Sequence, residues 1–331
     1  VRTLVSEQAS IDFDLGTQSA PLDDYGSVDP AASELAEDAI TLDEAIRIAL
    51  LNNRELRADL FGLGVERGEL VQANVFPNPD FEFQVRFSED DTQPPQWDFG
   101  VGIGLTDVIL RRGRREAAEA ELDAARIRVA AATLDLAYDV RLAYYDVQAS
   151  QQDLELMRTV LASFVAGYDT ARALHEAGNL SDLDLSTEQA AYEDARVAVA
   201  LAEADVISAR ERLNVLLGFF GGETSWEIST RLEAPPVDAV DLERLESRAI
   251  EASIELAHTR ASLIAAARRL GIERAAGLLP DINVGVHAEY DGTFWEVGPS
   301  VTGRLPLFDR RQGAVVSRRA ELDAMRERYV A

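Results

Sequence analysis

Ala177-Gly178-Asn179-Leu180-Ser181-Asp182-Leu183-Asp184 is a short polar corner inside a stretch, Leu105 to Leu217, that otherwise reads as two long helices. On the arm before it, Val140, Ala143, Val147, Leu154, Met157, Leu161, Phe164, Tyr168 and Ala171 recur at steps of three, four or their sum. On the arm after it, Tyr192, Ala195, Val199, Ala202, Val206, Ala209, Leu213 and Leu216 do the same. Apolar residues repeating about every 3.5 positions make a seam that closes only against another helix. Gly178 is placed to end the first arm, and Ser181 with Asp182 and Asp184 supplies capping oxygens for the second. From Arg114 to Ala177 the only Gly or Pro is Gly167. At about 1.5 Å per residue that arm spans roughly 95 Å, far more than a globular domain needs. Taken alone, the hairpin fits any antiparallel coiled coil; its flanks narrow the reading.

The chain has 331 residues and 47% hydrophobic content, enough to fold. It has no run of about 18 apolar residues, so no transmembrane helix is encoded; a membrane β-barrel, whose strands alternate, stays open. Cysteine is absent, which excludes disulfides, thiolate metal sites, a cysteine nucleophile and a lipidated cysteine within these residues. The chain starts at Val1 without a basic segment and apolar core, so a secretory signal is expected to have been removed or never included. The formal net charge of -27 argues against nucleic acid as a partner, and every basic residue is Arg.

Residues 1–38 are acidic and poor in large apolar side chains, an expected extended leader. Thr41-Leu42-Asp43-Glu44 is a capping box, and two helices are expected over 42–75, interrupted at Asn52-Asn53 and stopped by Pro77-Asn78-Pro79. The period then drops to two. Phe81, Phe83, Val85 and Phe87 alternate with Glu82, Gln84, Arg86 and Ser88; Trp97, Phe99, Val101, Ile103 and Leu105 alternate with Asp98, Gly100, Gly102 and Gly104. Strands are expected over 80–88 and 96–105, with the coiled-coil hairpin over 113–217. A linker follows over 218–240, with a turn at Phe219-Phe220-Gly221-Gly222 and a short strand at Trp226-Glu227-Ile228.

The chain then repeats itself. Leu42, Ala49, Glu55 and Leu56 recur as Leu242, Ala249, Glu255 and Leu256, about 200 positions on, and Pro79-Asp80-Phe81 as Pro280-Asp281-Ile282. Two more strands are expected over 281–290 and 295–305, within a second repeat over 241–331 that looks like a fragment lacking most of its coiled coil. The fold class is therefore mainly α with a pair of β-hairpins, a duplicated helix–helix–strand–strand–long helix repeat. Four strands cannot close a barrel, and a bilayer tolerates no open sheet edge, so in a membrane several copies must pool strands. The lipid face would then carry Phe81, Phe83, Val85, Phe99, Val101, Ile103, Ile282, Val284, Val286, Val297 and Val301. The lumen face would carry Glu82, Gln84, Arg86, Asp98, Asn283, His287, Glu296 and Arg304.

These pieces resemble the TolC-like outer membrane efflux proteins of Gram-negative bacteria, and more loosely the branch that serves metal-cation exporters. The matching pieces are Thr41-Leu42-Asp43-Glu44-Ala45 with Asn52-Asn53-Arg54-Glu55-Leu56, the strand entry Phe76-Pro77-Asn78-Pro79, and Arg111 to Arg115. The others are Gly178-Asn179-Leu180-Ser181-Asp182-Leu183-Asp184-Leu185 and Leu213-Asn214-Val215-Leu216-Leu217-Gly218. The resemblance implies a homotrimer with a twelve-stranded barrel in outer membrane lipid and a long helical tunnel in the periplasm. It also implies docking of the helical tip onto a periplasmic adaptor protein, linked to an inner-membrane efflux pump. On it, Gly178, Leu180, Ser181, Leu183, Asp184 and Leu185 are the adaptor contact. Three leucines at the corner agree with a partner site, although they also fit a simple closing of the turn.

Nothing in the sequence points to catalysis or a cofactor. The three histidines, His175, His258 and His287, share no metal-ligand spacing, so no metal site is expected. Gly100, Gly102 and Gly104 fit GxGxG but alternate inside a strand, which marks a crowded face rather than a phosphate loop. Arg111 to Arg115 fits a membrane interface. Two other classes remain: the duct of a type I protein secretion system, which shares the fold, and a structural coiled-coil protein without transport.

Overall fold

A computed structural model of the protein describes residues 39–88, 94–228, 231–232 and 243–330. The expected leader over 1–38, and most of the linker beyond Ile228, lie outside the described residues. The elements run α1 (Leu42–Asn52), α2 (Arg54–Asn74), β1 (Asp80–Arg86), β2 (Gln96–Gly104), α3 (Leu105–Glu176), α4 (Asp182–Leu217), a 3-10 turn (Gly221–Thr224), α5 (Leu245–Ala252), α6 (Ile254–Leu278), β3 (Asp281–Tyr290), β4 (Trp295–Arg304) and α7 (Gln312–Val330). They form two compact units, one from the described parts of 1–59 and 130–243, the other from those of 60–129 and 244–331. The units cut across the sequence repeat, and α3 contributes to both.

The first unit is built on the seam of α3 and α4. Val140 and Val147 are fully buried, and Ala195, Ala202 and Ala209 are buried at intervals of one heptad, so small side chains let the two helices approach. Phe164 keeps the period but is 39% exposed. Period fixes the direction of a side chain, not how much of a long ring the facing helix covers. At the far end of α4, Ile46, Ile48, Leu50, Leu213, Leu217 and Trp226 are buried, and the Tyr144 hydroxyl donates to the Ile40 carbonyl at 2.9 Å. The break at Asn52-Asn53 caps α4: the Asn52 amide donates to the carbonyls of Leu217 and Gly218, at 2.8 and 2.9 Å, and that of Asn53 to Leu216. Gly218 sits at φ +71, where a Cβ would lie 2.9 Å from the Asn52 carbonyl oxygen, so both conformation and space require glycine. The expected short strand at Trp226-Glu227-Ile228 is an isolated parallel bridge from Ile228 to Ile40.

The capping box forms as expected. Glu44 N–H donates to the Thr41 hydroxyl oxygen, and the Glu44 carboxylate accepts from the Thr41 hydroxyl and the Thr41 N–H. Those hydrogen bonds, the hydroxyl's first, hold the Glu44 carboxyl below its usual range.

The second unit holds one antiparallel sheet of order β1-β2-β3-β4, so the two hairpins of the repeat lie side by side with β1 and β4 as edges. Ala266, Leu270 and Leu322 bury a small core between α6 and α7. Four expected boundaries are corrected. β1 ends at Arg86 rather than at 88, and β4 at Arg304 rather than 305. β2 ends at Gly104, and Leu105 already opens α3, so the long helix begins eight residues before the expected 113. The cause is Thr106. Its hydroxyl donates to the Pro280 carbonyl at 2.6 Å and accepts from Ile282 N–H at 2.9 Å, so past Gly104 a side chain takes over the work of the strand ladder. Gly113 lies inside α3, where a Cβ would make only ordinary contact with Ile272.

Candidate functional site

Two features stand out: the sheet and the corner. The register places all the expected apolar strand residues on one face. Phe81 pairs with Val101 and Val101 with Val286; Phe83 with Phe99 and Phe99 with Ala288; Ile103 with Val284 and Val284 with Val301. Val85 pairs with Trp97, Ala288 with Val297, and Ile282 with Gly303 in the same alternation. Phe81 is 69% exposed and Val301 70%, so none of the described residues covers that part of the face. Near the hairpin ends it becomes aromatic: Trp97 faces Tyr290, which faces Trp295, and Phe83 lies 5.8 Å from Trp97 and 5.0 Å from Phe99. A contiguous exposed apolar surface of this kind marks contact with lipid or another protein.

The opposite face gathers Glu82, Gln84, Arg86, Asp98, Asn283, His287, Glu296 and Arg304. Its geometry depends on the glycines of β2. With no side chain at Gly100, Gly102 or Gly104, groups on β1 and β3 reach each other across β2. Asn283 donates to Asp80 at 2.6 Å over the glycines; farther along, over Asp98, Arg86 donates to Glu289 at 2.6 Å. The same Arg86 nitrogen lies 2.7 Å from Asp98, whose side chain is 7% exposed, and His287 Nε2 lies 3.2 Å from the other Asp98 oxygen. Asp98, His287 and Glu289 thus bring three potential ligand atoms within 4.8 Å of one another. Helical metal-ligand spacing missed this group. The sequence signal was His287 and Glu289 two apart on one strand face; Asp98 joins them only through the register of β2 on β3.

At the corner Gly178 takes φ +80, and Gly178 N–H and Asn179 N–H close α3 on the carbonyls of His175 and Leu174. The Ser181 hydroxyl accepts from Asp184 N–H at 3.2 Å and donates to the Asp184 carboxylate at 2.6 Å, opening α4. Asp182 lies 2.7 Å from His175 Nε2. The three leucines divide. Leu180 and Leu185 are half-buried, Leu180 beside Ala171 and Leu174 in a shallow groove, whereas Leu183 is 76% exposed. Just above, Tyr168 and Tyr192 stack in parallel at 5.4 Å and join the arms. No helix among the described residues is long and apolar enough to cross a membrane.

Comparison with known proteins follows the same lines. The profile of the family described as "Outer membrane efflux protein" matches residues 45–219. The cobalt-zinc-cadmium resistance protein CzcC of Cupriavidus metallidurans is 27% identical over 308 residues, covering 92% of this chain and 72% of that one. A membrane protein from Pseudomonas aeruginosa superposes with a TM-score of 0.70 at 20% identity, over 87% of this chain and 72% of that one. The CmeC outer membrane channel of Campylobacter jejuni superposes with a TM-score of 0.70 at 13% identity, over 96% and 75%. The two structures establish the fold.

Proposed function

The chain belongs to the outer membrane efflux protein family, and from that premise we propose that it is the exit channel of a tripartite efflux system in a Gram-negative outer membrane. The observation that carries the reading is the sheet, with one continuous apolar face, one polar face and two unpaired edges. Unpaired strand edges cannot face lipid, and four strands are fewer than the smallest closed barrel. Three copies, each pairing β1 with the next copy's β4, close a twelve-stranded barrel with its apolar face to lipid and its polar face lining a wet lumen. α3 and α4 then extend into the periplasm. Their corner, with Leu183 outward, contacts a periplasmic adaptor that links the channel to an inner-membrane pump. The pump drives transport and the channel is passive. Small molecules and metal cations are the proposed cargo; the likeness to a cobalt-zinc-cadmium resistance protein favours the cations.

The test is the mass of the full chain in detergent. Three chains per particle is the expected result, and a stable monomer overturns the reading. The absence of cysteine allows a second assay. One cysteine placed on β1 and one on β4 should give disulfide-linked oligomers only where the two edges meet between copies.

A further inference from the structure

From the polar face of the sheet we infer that Asp98, His287 and Glu289 bind a divalent transition-metal cation. This rests on the channel reading, in which that face lines the lumen and metal cations are cargo. The donor set is one imidazole nitrogen and two carboxylate oxygens, all within 4.8 Å of one another, so a single ion can touch all three. Imidazole with carboxylates suits zinc, cobalt or nickel better than magnesium or calcium, which prefer oxygen alone. The three residues come from two adjacent strands in fixed register, so the backbone places the ligands before any ion arrives.

The space is built as well. A Cβ at Gly298, beside His287, would meet nothing within 4 Å, so the ring is open on that side. Gly100 lies beneath the imidazole. The point its Cβ would take is 3.7 Å from His287 Nδ1 and 3.6 Å from a Glu82 oxygen, so a side chain there would crowd the imidazole.

Arg86 holds the place of the ion. One of its nitrogens stands between the two acids, 2.7 Å from Asp98 and 2.6 Å from Glu289. Arginine often grips a single carboxylate with two nitrogens. Here one nitrogen acts as a point charge shared by two acids, the role a metal ion takes over when it binds. An arriving cation displaces Arg86 and a departing one lets it return. The competition keeps the site weak, as a site on a transport path has to be.

The experiment uses the full chain in detergent, without a polyhistidine tag, titrated with Co²⁺ alone and followed by its visible absorption. The parent should bind saturably. His287→Ala should weaken binding by at least about tenfold, and Arg86→Gln should tighten it by about tenfold. His258→Ala, which removes an imidazole from α6, should change nothing. Equal Co²⁺ binding by the parent and His287→Ala overturns the inference. So does the absence of saturable binding from both the parent and Arg86→Gln. Particle mass is measured on the same samples. Trimers that bind no Co²⁺ overturn the metal site and leave the channel standing; monomers overturn the channel itself.

Discussion

The helical seam and the sheet are both periodic apolar surfaces, yet they end up in opposite environments. Val140 and Val147 on the seam are fully buried by the chain itself, whereas Phe81 and Val301 on the sheet are 69% and 70% exposed. The seam finds its partner across a five-residue turn, because Gly178 and Ser181 reverse the chain at once. The sheet finds its strands, but among the described residues nothing covers Phe81 or Val301. The same hydrophobic pattern is thus completed within the chain in one region and, on the proposed reading, by other molecules in the other. That asymmetry separates a self-contained coiled coil from one subunit of a membrane barrel.

The comparison is tested hardest where burial is complete. Val147→Asp puts a charge into the closed seam with no partner, and we expect a loss of more than about 3 kcal/mol of stability. Urea unfolding followed by helical circular dichroism reads it. Wild-type stability in this variant would mean that the seam is open in solution.

The sheet should show its solvent through its two faces. If the apolar face meets lipid as proposed, Phe83→Arg should cost about 2–4 kcal/mol of barrel stability near the membrane midplane. Glu82→Arg, on the next residue and the opposite face, should stay within about 0.5 kcal/mol. Heat resistance of the proposed trimer during electrophoresis distinguishes them; equal losses would mean that both faces meet the same solvent.

How much of this was legible in the sequence follows from the range of the interactions. The seam and the strand faces are local periodicities, so Ala195, Ala202 and Ala209, or Phe81, Phe83 and Val85, could be placed from neighbours alone. The start of α3 could not. Leu105 continues the alternation of β2, and what ends the strand is the bond of Thr106 to Pro280 and Ile282 in the second repeat. The Asp98, His287 and Glu289 group was hidden for the same reason, since only strand register brings β2 and β3 residues together. The corner was legible as a turn, but the division of its leucines was not, because Leu180, Leu183 and Leu185 are equally apolar and only their positions over the groove differ.

A smaller effect is expected at the entrance to α1, where the capping box is held by charge. The folded Glu44 carboxyl lies below its ordinary value because of the Thr41 hydrogen bonds. Its contribution is therefore fully present above the ordinary carboxylate range and disappears as pH falls through the lowered value. Glu44→Gln should cost less than about 1 kcal/mol at neutral pH, and the gap to the parent should close in acid. A gap that persists at low pH would show that the charge contributes nothing.

The smallest effect on folding is expected at the corner, and it sharpens the comparison most. Leu183 is 76% exposed, so Leu183→Asp should leave the heat stability of the proposed trimer unchanged within about 0.5 kcal/mol. Placed in the first turn of α4, the new carboxylate even suits the helix dipole. Leu180→Asp, in the half-buried position, should loosen the turn instead. If the corner is completed by another molecule, as proposed for the sheet, then Leu183 becomes buried on docking. Losing a buried leucine is worth about 1.5–3 kcal/mol, roughly a tenfold to hundredfold weaker Kd. A pull-down with the cognate adaptor, run beside the heat-stability assay, reads both quantities. Parent-like adaptor binding by Leu183→Asp would place the corner with the seam, as a turn the chain closes for itself, and would move the partner site elsewhere on the helices.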